Sequence, residues 1–170
     1  MSSSYVLSDS AREKINKWIA KYPIGQQKSA ICAAIKIVQE ENGGHIDELR
    51  LHAIADHLNI SKIEALEVAS FYDMVETKPI GRYKLAVCTN VSCMLCGCDS
   101  IVRHLEKRLA VKMGETTPDG LFTLREVECL AACVGAPMLQ VNDKEFHEKL
   151  TVEKLDALLD DLIAQAGGNA

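Results

Sequence analysis

No apolar run in this 170-residue chain approaches the roughly 18 residues that a membrane span needs. The opening stretch, residues 1–9, has no basic segment followed by an apolar one, so no secretory signal is expected. Positive charge is not in surplus: 19 Lys+Arg stand against 24 Asp+Glu, a formal net charge of -5. That balance argues against general binding to nucleic acid or anionic lipid, which needs a positive surface. No Gly-x-Gly-x-x-Gly follows a strand-like run, so the chain offers no site of its own for NADH or flavin. Internal repeats and low-complexity segments are lacking too. What is plentiful is apolar residues, 48% of the chain, and cysteine, seven in all. A core of that size needs no disulfide staples, and an odd thiol count without an export signal points to a reducing, cytoplasmic setting.

The length suits one domain, or a small domain with a helical extension. Residues up to about 78 read as helices. Ser10 with Glu13 makes a capping-box pattern ahead of Ile15, Trp18, Ile19 and Tyr22, which repeat at helical spacing as far as Pro23. A second helix is expected from Gln27 to Glu41, with Ala30, Ile31, Ala34, Ile37 and Val38 inward, stopped by Asn42-Gly43-Gly44. Asp47 can cap a third helix. Ser61 and Glu64 form a capping box for a fourth, with Ile63, Leu66 and Val68 among its apolar residues. The run Lys78-Pro79-Ile80-Gly81 breaks this pattern, which sets the expected domains at residues 1–79 and 80–170.

Beyond that break the texture changes. Tyr83 to Val87 reads as a strand leading into Cys88, followed by a loop from Thr89 to Gly97. Asp99 or Ser100 can cap a helix running to Leu109. Pro118-Asp119-Gly120 is a turn before a second strand, Leu121 to Glu128, which delivers Cys129. Met138 to Val141 and Lys144 to His147 suit a hairpin across Asn142-Asp143. Thr151 opens a last helix with Leu155, Leu158, Leu159, Leu162 and Ile163 inward, and a disordered tail is expected over Gly167 to Ala170. The implied unit is a small α/β domain with each main cysteine pair just after a strand.

Six of the seven cysteines fall into two groups, Cys88, Cys93, Cys96 and Cys98, then Cys129 and Cys133. Thiolates at strand ends are ligands for soft metals. Spacing alone leaves three arrangements open. Zinc can be held by Cys93-x2-Cys96 with Cys129-x3-Cys133. A plant-type ferredoxin spacing runs Cys88-x4-Cys93-x2-Cys96 with Cys129 as the distant fourth ligand. The third places Cys88 with Cys93, and Cys129 with Cys133, around one 2Fe–2S cluster. A histidine-ligated cluster is disfavoured, since His45, His52, His57, His104 and His147 all lie outside the cysteine loops. Cys32, between Ile31 and Ala33, reads as helix packing. A Cys93-x2-Cys96 thiol–disulfide motif conflicts with Cys93 acting as a ligand. The helix-turn-helix-like stretch from Ile54 to Ala65 has too little positive charge for DNA: Lys62 faces Glu64, Glu67 and Asp73.

From Tyr83 to Leu162 the chain resembles the small 2Fe–2S subunit of NADH:quinone oxidoreductase, a thioredoxin-like ferredoxin. The residues that carry the likeness run from Val87 to Leu95, from Lys112 to Leu124 and from Val127 to Pro137. The helical front half, including Ala65 to Tyr72, resembles that family's extension. The resemblance implies an α+β chain, an N-terminal helical bundle followed by a thioredoxin-like α/β ferredoxin domain. It implies one 2Fe–2S cluster on Cys88, Cys93, Cys129 and Cys133, with Cys96 and Cys98 as extra thiols. It implies one-electron transfer, with FMN and NADH held by a partner subunit, further iron–sulfur subunits, and a place in the cytoplasmic peripheral arm of a membrane-bound complex. Backbone donors to the sulfurs are expected within Thr89–Ser92 and Leu130–Ala132. Partner contact is expected around Trp18 and Phe71. A soluble NAD-linked hydrogenase or formate dehydrogenase uses the same module, and a four-cysteine zinc module is the non-enzymatic rival.

Overall fold

The structure is a computed structural model and describes residues 5–167. Its chain divides into two compact units, with the boundary between Pro79 and Ile80. No helix among the described residues is long and apolar enough to cross a membrane.

Among the described residues, the first unit contains four α-helices: α1 (Asp9–Ile19), α2 (Ile31–Glu41), α3 (Glu48–Leu58) and α4 (Lys62–Phe71). Their shared core includes Ile15, Ile35, Val38, Ile54 and Leu58, all fully buried. The cap of α1 is Ser8, whose hydroxyl accepts from the Ala11 N–H at 2.9 Å. The expected Ser10 box is thus displaced by two residues, and Glu13 instead pairs with Lys17 along the exposed helix face. Asp47 caps α3, and Ser61 with Glu64 forms the full reciprocal box on α4. A single 3-10 turn over Gln27–Ala30 leads into α2. The inward face of α4 is made by small residues. Ala65 and Ala69 are buried, while Ile63 and Leu66 are exposed. Small residues at i and i+4 let this helix pack close, which turns its larger side chains outward. Gln39 ties down the segment after α4: its amide donates to the Met74 carbonyl and its carbonyl accepts from the Glu76 N–H.

The second unit is a four-stranded mixed sheet with helices. Its strands are β1 (Tyr83–Cys88), β2 (Phe122–Val127), β3 (Leu139–Val141) and β4 (Glu145–His147), in the order β2-β1-β3-β4. The β1–β2 pair is parallel, running in register from Tyr83↔Phe122 to Cys88↔Val127, whereas β1–β3 and β3–β4 are antiparallel. The expected β3–β4 hairpin turns across Asn142 and Asp143, both with positive φ. Three helices complete the unit: α5 (Val91–Leu95), α6 (Cys98–Leu109) and α7 (Val152–Gly167). Gly167 ends α7, so the tail expectation falls on residues 168–170, outside the described part. On α7, Leu155, Leu159 and Leu162 are buried as expected, but Ile163 is exposed.

Burial drives this arrangement. Leu85, Leu105, Leu124, Leu139, Leu155 and Leu159 are fully enclosed, each contributing about 2 kcal/mol relative to exposure. Strand β1 is buried along its whole length, as a central strand must be. Its one charged residue, Lys84, reaches Asp143 in the hairpin turn at 2.6 Å. At the entry to β1, Gly81 lies against backbone: an added Cβ would stand 2.9 Å from the Phe122 carbonyl carbon. Gly81 therefore marks a close approach between the two parallel strands.

Candidate metal centre

Because β1 and β2 are parallel and in register, the loops that leave them emerge at one edge of the sheet. Neighbouring strands lie about 4.8 Å apart, so Cys88, the last residue of β1, and Cys129, two residues beyond β2, start as neighbours. The expected loop from Thr89 to Gly97 contains a helix of its own, α5, capped by the Asn90 side chain. One helical turn carries Cys93 back toward Cys88. Gly97, at φ 89, makes the bend between α5 and α6, where a Cβ would be strained. It also takes the cap position expected for Asp99 or Ser100.

The thiols are brought together as two pairs. Cys88 and Cys93 are buried at 3% and 2% exposure and packed together with Cys98 and Met138. Cys129 and Cys133 are exposed, with their Sγ atoms 3.5 Å apart. Two thiolates about 2.3 Å from one tetrahedral metal lie roughly 3.8 Å apart, close to this spacing. The pairs also feel each other, since Cys88 acts electrostatically on Cys129. Among the described residues, no three or more His, Cys, Asp or Glu side chains converge on one point. The grouping is two plus two.

Burial pushes the Cys93 thiol up to about 11, helped by the neighbouring Cys88 thiol and opposed by the Met138 backbone. At Cys129 the Ala131 N–H, 3.4 Å from Sγ, pulls the thiol down. The hydrogen bond with Cys133, burial and the neighbouring thiols outweigh it and leave Cys129 raised. Ala131 adopts φ 60, a left-handed conformation that turns its N–H back onto the sulfur. This donor falls within the expected Leu130–Ala132 segment. The Met138 backbone, which lowers Cys93, lies outside both expected segments. No feature of the sequence marks it, because Met138 approaches only through the fold, one residue before β3 and fully enclosed with the buried thiols. Of the extra cysteines, Cys96 is exposed at the end of α5, while Cys98 is buried beside Cys88 and Cys93. Burial, then the Asp99 carboxylate, raises Cys98. Cys32 is exposed on α2, not packed inward as expected, because the core of α2 is filled by its neighbours Ile31, Ala34 and Ile35.

A model of the family described as "Thioredoxin-like [2Fe-2S] ferredoxin" matches residues 15–163. The chain belongs to that family. Among its curated relatives is an NADH-quinone oxidoreductase subunit of Rhizobium meliloti (strain 1021), 46% identical over 88% of this chain and 86% of the relative. Another is the corresponding NADH-quinone oxidoreductase subunit of Rickettsia felis (strain ATCC VR-1525 / URRWXCal2), 43% identical over 84% and 85%. A solved structure of an NAD+-reducing [NiFe]-hydrogenase in the air-oxidized state shares the fold, with TM-score 0.65 and 21% identity. That match covers 77% of this chain and only 23% of the hydrogenase chain. As a thioredoxin-like ferredoxin the chain is α+β, as its sequence implied, and the cofactor of its family is a 2Fe–2S cluster. The donor set suits that group: thiols in two pairs, Cys129 and Cys133 with a sulfur spacing close to that around one metal, and a backbone N–H aimed at sulfur.

Proposed function

We propose that the chain is the one-electron carrier subunit of NADH:quinone oxidoreductase, holding one all-cysteine 2Fe–2S cluster beside the flavin of a partner subunit. Cys88, Cys93, Cys129 and Cys133 are the ligands. The observation that carries this reading is the pairing of four thiols from two parallel strand ends at one sheet edge. When bound, such a cluster accepts and returns one electron. The chain's own residues set the conditions. The first thiol pair is enclosed with Met138, which limits water on that side. The N–H of Ala131 points at sulfur and favours the more negative, reduced state. The second pair is open, which leaves an entry for electrons.

Hydride removal from NADH then belongs to the flavin-bearing partner, and further iron–sulfur subunits complete the path to quinone. The chain takes its place in the cytoplasmic peripheral arm of that complex. Exposed Trp18 and Phe71 on the helical unit are part of the contact. The test is the assembled complex, purified anaerobically and treated with NADH. A 2Fe–2S EPR signal should develop that a Cys129→Ser complex lacks. An assembled Cys129→Ser complex with an unchanged signal set and unchanged NADH oxidation would refute the role. Co-purification with a hydrogen- or formate-oxidising catalytic partner would assign the chain to that kind of enzyme instead.

A further inference from the structure

The sheet ladder between β1 and β2 ends near Cys88↔Val127 and a backbone bond from the Thr89 N–H to the Val127 carbonyl at 3.2 Å. One residue farther along each chain, a side-chain bond takes over. The Asn90 amide donates to the Glu128 carboxylate at 2.6 Å. Asn90 lies between Cys88 and Cys93, and Glu128 directly precedes Cys129. The other end of the same amide, Oδ1, accepts from the Val91 N–H at 2.9 Å and so caps the helix that carries Cys93.

We propose that Asn90 and Glu128 form a clamp that fixes the distance between the two cysteine loops and places a carboxylate beside the metal centre. The inference rests on the electron-carrier reading above. Both residues act as positioning residues: neither is a ligand, and each acts through the loop it holds. An amide-to-carboxylate bond is charge-assisted and short, so it sets geometry well even at an exposed site. The carboxylate has a second consequence. A negative charge close to the cluster disfavours the added electron, and because Glu128 is exposed this influence is screened by salt.

Two substitutions in the full chain separate the roles. Glu128→Gln keeps an acceptor for Asn90 and removes the charge; Asn90→Ser keeps a capping oxygen for α5 and removes the donor. The readouts are the EPR-monitored midpoint potential at low and high salt and the rate of cluster loss to an iron chelator. Glu128→Gln should raise the potential, by less at high salt, with chelator resistance kept. Asn90→Ser should lose its cluster about two- to fivefold faster, the range of a solvent-exposed charged contact. A cluster-bearing Glu128→Gln chain with an unshifted potential, or an Asn90→Ser chain as resistant as the parent, overturns the clamp alone. A parent chain that takes up no iron or sulfide overturns the carrier reading, and the clamp with it.

Discussion

In the metal-free, reduced chain the Cys93 thiol should make stability fall at alkaline pH. Burial moves this thiol from an ordinary 9.0 to about 11 in the folded state. Between those values the unfolded chain gives up its proton first. The stabilisation is therefore complete below about pH 9 and is lost as pH rises toward 11. At pH 10 the folding equilibrium drops about tenfold, roughly 1.4 kcal/mol, toward a ceiling near a hundredfold. Because the two units need not unfold together, the assay should follow the second one, for example through methyl NMR signals of Leu85 and Leu124 during urea unfolding. The comparison is with Cys93→Ser, which removes the titration while lysine and tyrosine titrations cancel. Between pH 8 and pH 10 the parent should lose about tenfold more stability than the variant. An equal decline in both would show that Cys93 is not held as a buried neutral thiol, and the enclosed half of the centre would be wrong.

Other expectations are more local. Gly81→Ala forces a Cβ against three backbone atoms near β2 and should cost about 1–3 kcal/mol, seen as a lower unfolding temperature of the second unit. Ser61→Ala removes the α4 capping box and should cost the helical unit about 1 kcal/mol in urea unfolding. Single Cys→Ser changes at Cys88, Cys93, Cys129 or Cys133 should abolish or alter the EPR signal of the reduced chain. Those at Cys96 and Cys98 should leave it. Loss at Cys96 with retention at Cys133 would favour the plant-type spacing.

Much of the fold is legible in the sequence because its signals are local. Asp47 and the Ser61–Glu64 box sit where helices begin, and the runs ending at Cys88 and Glu128 read as strands. Ser8 and Ser10 are both plausible caps in one short stretch, and only packing of Ala11 and Ile15 chooses between them. Periodicity does not single out a face of α4 because apolar residues occur around most of the helix, and close packing rather than hydrophobicity selects Ala65 and Ala69. At the site, cysteine spacing identifies a metal centre but does not choose among three ligand sets. That the two cysteine loops meet at all depends on parallel pairing of β1 with β2, a non-local contact invisible in spacing. Helix α5 escapes a periodicity reading because a single turn gives too short a signal, although Asn90 ahead of Val91 marks its cap. The approach of Met138 to Cys93, and of Asn90 to Glu128, exists only once the sheet has formed.

The most direct test of the centre is metal and sulfide analysis of the anaerobically purified chain, paired with EPR after reduction. A red-brown protein with two irons and two acid-labile sulfides per chain, and one 2Fe–2S signal on reduction, is predicted. A colourless protein carrying stoichiometric zinc and no sulfide would contradict the account.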